Sequence, residues 1–213
     1  MLKATAQRGN RTMAPDDTKD RIVEAAITTL KERGYAGSSA RAIAATGSFN
    51  QALIFYHFGS VRDALLAALD RTSAERMAAY RTAAASATDI QGLVGVATEI
   101  YHEDLASGHI TILAELIAGA STDRTLGPEI VARIAPWIDF AREEIDRVAQ
   151  GSPLAQLVPA DDLAYAIVAQ FLGLELLTHL DGTAERAERL FQLAGSFSTL
   201  LSMSGLMDGG PPR

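Results

Sequence analysis

Side chains that could read a DNA sequence lie close together in the first third of the chain. Arg41 can form a bidentate hydrogen bond with guanine, and Asn50 or Gln51 can do the same with adenine. Nearby are side chains of types that donate hydrogen bonds to phosphate oxygens, namely Ser39, Tyr56 and His57. These residue types favour contact with double-stranded DNA.

Catalytic or metal chemistry has much weaker support. Glu99 and His102 form a Glu-x-x-His pair of the kind that carboxylate-bridged di-iron bundles use, but such sites need a second pair, and Glu175 with His179 has a different spacing. The chain has no cysteine, which excludes disulfides and thiolate metal sites. Gly-rich phosphate loops, Gly-x-Ser-x-Gly elbows and His-Glu-x-x-His motifs are also absent from the sequence. We therefore predict no enzyme, no metal site and no cofactor.

Composition and charge suggest a globular protein with two tasks. Hydrophobic residues make up 48% and charged residues 21% of the 213 residues, an ordinary balance for a folded domain. The net charge is −7, but residues 1–71 carry +3 and residues 72–213 carry −10. The mildly basic part could face phosphate and the acidic part could not. Because no apolar run reaches the ~18 residues that span a bilayer, we predict a cytoplasmic protein without membrane contact.

Periodic apolar residues predict helices throughout, and the first three carry the DNA-reading side chains. The predicted helices run from Asp17, as N-cap, to about residue 33, from Ala40 to Ala45, and from Asn50 to His57. We expect Gly34 to end the first helix and Gly47 to adopt a positive φ in the turn between the second and third. Two short helices joined in this way form a helix-turn-helix, whose second helix enters the major groove. A plain helical hairpin is the alternative.

The remaining chain predicts an all-α fold of about nine helices. A long fourth helix, capped by Ser60, links the front of the chain to a larger helical bundle. The predicted organisation is a flexible arm (1–15), a three-helix DNA-binding domain (16–71), an effector-binding and dimerisation domain (72–204) and a disordered tail (205–213).

The order and spacing of several motifs resemble a known family. The motifs are Arg21-Ile-Val-Glu-Ala-Ala, Gly34-Tyr35, Arg41-Ala-Ile-Ala and Phe55-Tyr-His-Phe-Gly-Ser60. Over about residues 17–70 the chain is similar to the N-terminal domain of TetR/AcrR-type transcriptional regulators. The resemblance implies a divergent C-terminal helical domain for ligand binding and dimerisation. It also implies a DNA-binding set comprising Ser39, Arg41, Asn50, Gln51, Ala52, Phe55, Tyr56 and His57.

Four positions depart from the family pattern. Ser48 stands where a glycine usually precedes the recognition helix, and Phe49 replaces the usual valine. Leu53 replaces a threonine that often bonds to phosphate, and Val61 replaces a lysine. Two phosphate contacts are thereby put in question, and we expect Arg62 or the arm residues Lys3, Arg8 and Arg11 to replace them, which adds Arg62 to the predicted DNA-binding set.

The C-terminal part predicts a homodimer and a ligand site. Helix 162–180 is apolar nearly all round and must be covered on every side. With helix 184–203 it is expected to form a two-fold interface, as the family resemblance also implies; a buried helix of a monomer is the alternative. The predicted effector-binding side chains are Tyr101, His102, Glu115, Trp137, Phe140, Phe171, Glu175 and His179. A buried Glu115 or Glu175 would favour a cationic or hydrogen-bonding effector.

The sequence thus predicts a one-component transcriptional regulator. As a homodimer it binds a pseudo-palindromic operator, acts as a repressor, and is released by a small-molecule effector. The alternative is a small-molecule-binding helical protein without specific DNA binding.

Overall fold

The computed structural model describes residues 15–150 and 159–203, and this part of the chain consists of nine helices without a strand. The predicted all-α class is confirmed. The helices are α1 (Pro15–Gly37), α2 (Ala40–Gly47), α3 (Ala52–Phe58), α4 (Val61–Ala84), α5 (Ile90–Ser107), α6 (His109–Ala120), α7 (Leu126–Ala149), α8 (Ala160–Asp181) and α9 (Glu185–Met203).

The chain divides into two compact units between residues 68 and 69. The predicted boundary lay three residues later, after residue 71. Most of the predicted arm and all of the predicted tail lie outside the described residues, although Pro15, the last residue assigned to the arm, begins α1.

The N-terminal unit is organised around a small apolar core. Ile22 and Leu30 of α1, Ile43 of α2 and Ile54 of α3 are fully buried, and Leu65 of α4 is nearly so. Residues 22, 26 and 30 recur every four positions, which places them on one face of α1, and this helix packs against α2. Burying each of these side chains stabilises the unit by about 1.5–3 kcal/mol.

Several helix ends differ from the prediction. Because α1 begins at Pro15, Asp17 lies in its first turn and is not the N-cap. Gly34, in contrast, ends the regular part of α1 as predicted, since its φ of 67° and ψ of 179° are not helical, and a further helical turn after this kink extends to Gly37. The α3 helix begins at Ala52, because the Asn50 side chain accepts a hydrogen bond from the Ala52 amide at 2.9 Å and forms a turn before it.

The turn between α2 and α3 corrects the prediction for Gly47. Ser48, not Gly47, adopts the left-handed conformation, with φ 53° and ψ 48°. Gly47 is required for another reason: a Cβ atom there would lie 2.3 Å from the Phe49 ring and 2.9 Å from the Ala25 Cβ atom. The turn thus requires that residue 47 has no side chain and that residue 48 adopts a left-handed backbone conformation, which is strained for serine.

The C-terminal unit is a bundle of long helices. Helix α7 packs along α8, α9 packs along α5, and α6 contacts α5, α7 and α8. Fully buried side chains at these contacts are Tyr101, Ile112, Leu116, Leu126 and Glu175. The inclusion of a glutamate among them is unusual, since charged side chains are seldom fully buried unless they are paired.

Helix α8 is unusually apolar for a helix with so much exposed surface. Among the described helices, it is long and apolar enough to cross a bilayer by length and composition. Core helices of water-soluble proteins share this property, so it does not indicate a membrane protein. Its exposed apolar side chains instead need another explanation.

Candidate functional site

Helices α2 and α3 present one exposed group of side chains. Ile54 is fully buried and fixes the orientation of α3, so Gln51, Ala52, Phe55 and Tyr56 face solvent on one side of this helix. Phe55 is 50% and Tyr56 81% exposed, which is unusual for aromatic side chains in a small domain. Such a surface can meet base edges and sugar–phosphate without first breaking the core.

Helix α2 contributes a cation to the N-terminal unit's surface. The Arg41 side chain is exposed, whereas the next three residues, 42–44, are buried against the core. Ser39 caps the helix by accepting a hydrogen bond from the Ala42 amide at 3.2 Å, and its hydroxyl hydrogen stays available for a phosphate oxygen. Arg41 is therefore held on a well-formed helix turn.

Two other predicted DNA-contacting residues, His57 and Arg62, are less exposed. His57 is half-buried and its ring lies edge-on to Tyr56, with ring centroids 4.9 Å apart. Arg62 is half-buried and its Nε lies 3.6 Å from an Asp63 carboxylate oxygen, so part of its charge is balanced. Leu53 and Val61, the two departures from the family pattern that remove expected phosphate contacts, are also half-buried.

One residue that supports this surface had no predicted role. Arg21 of α1 donates a hydrogen bond to the Gly47 carbonyl at 2.9 Å and lies 3.4 Å from the Ser48 carbonyl. The side chains of Thr29 and Thr46 also join α1 to α2, with 3.1 Å between their hydroxyl oxygens. Arg21 belongs to the first motif quoted above, but only the folded turn shows which carbonyls it satisfies.

The C-terminal unit contains a cavity of about 550 Å³ lined by helices α4 to α9. Its wall is mostly aliphatic and aromatic, which is the usual character of a site for a small organic molecule. Four predicted effector residues line it: Trp137, Phe140, Phe171 and Glu175.

The other four predicted effector residues do not line this cavity. Tyr101 is buried behind Phe171, and its hydroxyl lies 2.5 Å from the Thr178 hydroxyl. His102, the next residue on α5, is turned by about 100° and is exposed.

Glu115 and His179 fail to reach the cavity for reasons of helix geometry. Glu115 follows the wall residue Leu113 by two positions, so it lies on the opposite side of α6. His179 lies a turn beyond Glu175, near the end of α8, and is exposed.

A buried polar cluster interrupts the apolar wall. The Arg76 guanidinium donates to a Glu175 carboxylate oxygen at 3.1 Å and to the Tyr80 hydroxyl at 3.0 Å. Arg76 and Tyr80 also bond to the same oxygen of Asp104. Two carboxylates therefore share one guanidinium inside the unit.

The cluster changes the proton affinity of Glu175. Burial raises the pKa of this carboxyl to about 8, and hydrogen bonding and repulsion from Asp104 add to the rise, while Arg76 opposes it. The protonated form of the Glu175 side chain is therefore favoured at neutral pH. Burial likewise raises the pKa of the Tyr101 hydroxyl.

Glu175 was predicted from the sequence, but its partners Arg76, Tyr80 and Asp104 were not. Arg76 and Tyr80 are four residues apart on one face of α4, and Asp104 follows Tyr101 by three residues on α5. Those spacings place each pair on one helix face. They do not show that the two faces meet a carboxylate 99 residues from Arg76.

Aromatic rings surround the cluster. Tyr80 and Trp137 pack edge to face with centroids 5.2 Å apart, and the Arg76 guanidinium carbon lies 5.3 Å from the centre of the Trp137 ring. The Trp137 indole donates a hydrogen bond to the Ser73 hydroxyl at 2.9 Å, which fixes its position. In the described part of the chain, no group of three His, Asp or Glu side chains is arranged to hold a metal ion.

Comparison with known proteins finds a family match for the N-terminal unit. Residues 22–69 match the model of the bacterial regulatory proteins of the tetR family. Among curated proteins, none matches the sequence significantly.

Solved structures of similar fold cover nearly the whole chain. A TetR-family transcriptional regulator from Cytophaga hutchinsonii has a TM-score of 0.73 at 15% identity, covering 89% of this chain and 97% of its own. The fatty acid degradation regulator FadR from Bacillus halodurans has a TM-score of 0.68 at 15% identity, covering 98% and 100%. The multidrug binding protein EbrR in complex with malachite green has a TM-score of 0.59 at 24% identity, covering 86% and 96%.

These similarities define the fold, a helix-turn-helix domain followed by a helical C-terminal unit. The match of residues 22–69 to the tetR-family model confirms the resemblance predicted from the sequence for the N-terminal unit. Regulators of this family bind DNA and small molecules and act as dimers.

Proposed function

We propose that this protein is a homodimeric, ligand-responsive transcriptional repressor that acts in the cytoplasm. The observation that carries the proposal is the exposed face of α3 next to an exposed Arg41, on a domain of the TetR family. Two such faces in a dimer would enter successive major grooves about 34 Å apart and read a pseudo-palindromic operator. Release then requires an effector that binds the DNA-free state more tightly than the DNA-bound state.

Within this proposal, Arg41, Gln51 and Phe55 contact base edges. Arg41 donates to guanine, Gln51 pairs with adenine, and the Phe55 ring offers an apolar surface to a thymine methyl group. Ser39, Asn50, Tyr56, His57 and Arg62 contact the sugar–phosphate backbone, and Ala52 allows close approach. The half-buried His57 and Arg62 need only small rotations for this task.

The first test is selection of fragments of the source genome by the purified protein at about 50 and 200 mM salt. We expect a short pseudo-palindrome that survives the higher salt. Random fragments that are lost at the higher salt, or no fragments, would overturn the regulator proposal. Such a result would favour a small-molecule-binding protein in which Leu53 and Val61 have removed essential phosphate contacts.

Arg41→Ala tests the assignment of base contact. With the selected operator, we expect a loss of about 1–3 kcal/mol and relaxed preference at one base pair in each half-site. Arg124→Ala is the matched control, because it removes an exposed arginine from the C-terminal unit. Uniform weakening with unchanged base preference would show that Arg41 contacts phosphate only.

The dimer proposal rests on exposed apolar side chains of α8 and α9. Leu177 and Leu180 are 63% and 73% exposed, and Phe197 and Met203 are 61% and 80% exposed. Small residues at 166, 169 and 173 on α8 let another helix approach closely. Exposed apolar surface of this extent on two neighbouring elements of the sequence is typical of a subunit interface.

Leu177→Glu tests this interface by placing a charge in it. We expect the variant to sediment as a monomer at a concentration where the unchanged protein is a dimer. Val131→Glu is the control, because Val131 is equally exposed, at 66%, but lies on α7. A dimer that survives Leu177→Glu, or that dissociates equally with Val131→Glu, would contradict the assigned surface.

A further inference from the structure

The polar cluster at the cavity of the C-terminal unit contains an excess of buried negative groups: Glu175 lines the cavity, and Asp104 is bonded to the lining residues Arg76 and Tyr80. Asp104 and Glu175 are buried, and both contact the single guanidinium of Arg76. Another arginine of the wall, Arg133, bonds to Asp70 and Glu129 and is already neutralised. The cluster therefore carries either a net charge of −1 or an additional proton.

One atom of this cluster is left without a donor. Glu175 Oε1 accepts from Arg76, but Oε2 is buried and has no hydrogen-bond partner. When Glu175 is ionised, a buried Oε2 without a donor is costly, because this oxygen has lost its hydrogen bonds to water and has no protein donor in their place. Glu175 belongs to the wall of the cavity, so a bound molecule could supply the missing donor after a small side-chain movement.

We propose that the effector is an apolar, ring-containing molecule with a protonated amine, whose N–H group donates to Glu175 Oε2. This inference rests on the proposed function, in which the cavity is the effector site. The positive charge of the amine neutralises the excess carboxylate. Its apolar body fills the remainder of the cavity against Trp137, Phe140 and Phe171.

The wall favours an amine over an acid or a neutral alcohol. A carboxylate ligand would be a third negative group beside Asp104 and Glu175, and Arg76 is already bonded to both. An alcohol can donate a hydrogen bond but leaves the charge excess unchanged. The aromatic rings of the wall also attract a cation through their faces, as Trp137 already does with Arg76.

The proton on Glu175 gives the proposal a second consequence. Because burial raises the pKa of this carboxyl to about 8, Glu175 holds a proton at neutral pH. A protonated amine takes the place of that proton, which leaves to the buffer. The charged groups concerned are Arg76 from α4, Asp104 from α5 and Glu175 itself, with the hydroxyls of Tyr80 and Tyr101 beside them.

The test uses three probes of one shape and the full-length protein without DNA. They are 2-(1-naphthyl)ethylamine, 2-(1-naphthyl)ethanol and 1-naphthylacetate, which are a cation, a neutral donor and an anion at pH 7. Titration calorimetry in phosphate and in Tris buffer gives both the affinity and the number of protons released. We expect the amine to bind about 10- to 100-fold more tightly than the alcohol, as a charged hydrogen bond predicts, and to release a proton that the alcohol does not.

Glu175→Gln keeps the shape of the side chain and removes its charge. We expect this variant to lose the preference for the amine and the proton release while binding the alcohol as before. Glu103→Gln removes an exposed carboxylate from α5 and is the matched control. This variant should keep the preference for the amine and the proton release. If Glu175→Gln does not fold, the order of affinity of the three probes for the unchanged protein remains a sufficient test.

Three results overturn the proposal: equal or tighter binding of the alcohol or the acid, an amine preference that survives Glu175→Gln, or no binding of any probe. Operator binding is measured on the same preparation. DNA binding without an amine preference refutes only the effector class. A Glu175-dependent amine site without DNA binding refutes the regulator function and leaves the site intact.

Discussion

Glu175→Gln has a second use, because the ionisation of a buried carboxyl group alters stability in a pH-dependent way. The folded protein raises the pKa of Glu175 from its ordinary value of 4.5 to about 8, mainly by burial. Between these two pH values the folded state holds a proton that the unfolded state has released. Stability must therefore fall as the pH rises through this window and level off above it.

The magnitude follows from the size of the pKa shift. One pKa unit corresponds to 1.36 kcal/mol, so the contribution of Glu175 falls by about 3–4 kcal/mol between about pH 5 and about pH 8. Glutamine is neutral at every pH, so its contribution to the free energy of unfolding does not change over the same range. We therefore expect the stability of Glu175→Gln, relative to the unchanged protein, to increase by this amount towards pH 8.

Urea unfolding from pH 5 to pH 8 measures the difference between the two proteins. Equal protein concentrations are needed, since dissociation of a dimer contributes to the unfolding free energy. Histidines and other carboxyl groups titrate in both proteins and cancel in the difference when they are distant from residue 175. Glu103→Gln, on the exposed side of α5, controls for the loss of one negative charge.

A difference that does not change with pH would refute this reasoning. It would mean that Arg76 offsets burial and the repulsion from Asp104, so that Glu175 is ionised in the folded protein. The charge excess in the cavity would then be a permanent negative charge, and the bound amine would release no proton. Calorimetry and unfolding thus test the same protonation state independently.

Three further substitutions test the packing of each unit. Ser48→Gly should stabilise the N-terminal unit by about 1 kcal/mol, because glycine adopts the left-handed conformation of residue 48 without strain. Gly47→Ala should destabilise the same unit, because the new Cβ atom would clash with the Phe49 ring. Urea unfolding measures both changes. Arg76→Met should destabilise the C-terminal unit by about 3–5 kcal/mol at pH 8, since it leaves two buried carboxylates without a cation. A loss below 1 kcal/mol in the same unfolding assay would show that Arg76 contributes little to holding the cluster.

The helix-turn-helix could be predicted because its signals are local. Apolar residues at helical spacing, serines before α2 and α4, and glycines near the helix ends lie within a few residues of the features that they specify. Ser60 does cap α4, since its hydroxyl oxygen accepts from the Asp63 amide at 3.0 Å. At Gly47 the local pattern led to a wrong prediction of positive φ. Glycine is required there because a Cβ atom would overlap the Phe49 ring.

The ligand site was predictable only in part, because its chemistry depends on distant residues. Aromatic residues of α7 and α8 indicated the wall, and Glu175 was correctly placed in it. Arg76 contacts Asp104 across 28 residues of sequence and Glu175 across 99, and no local pattern signals either contact. His102 was an attractive candidate by type, but the one-residue step from Tyr101 turns it out to solvent.

Helix α8 connects the two proposals for the C-terminal unit. Glu175 is fully buried and belongs to the cavity wall, whereas Leu177, two residues later, is 63% exposed. Two residues correspond to a rotation of about 200°, so these side chains project from opposite sides of the same helix. A molecule that draws Glu175 into a new hydrogen bond therefore pulls on the helix that also carries the proposed subunit interface. Because α8 moves as one helix and packs along α7, a displacement of its Glu175 face also displaces its Leu177 face. If the amine binds at Glu175 and the dimer forms through Leu177, effector binding and dimer geometry are coupled through the displacement of a single helix.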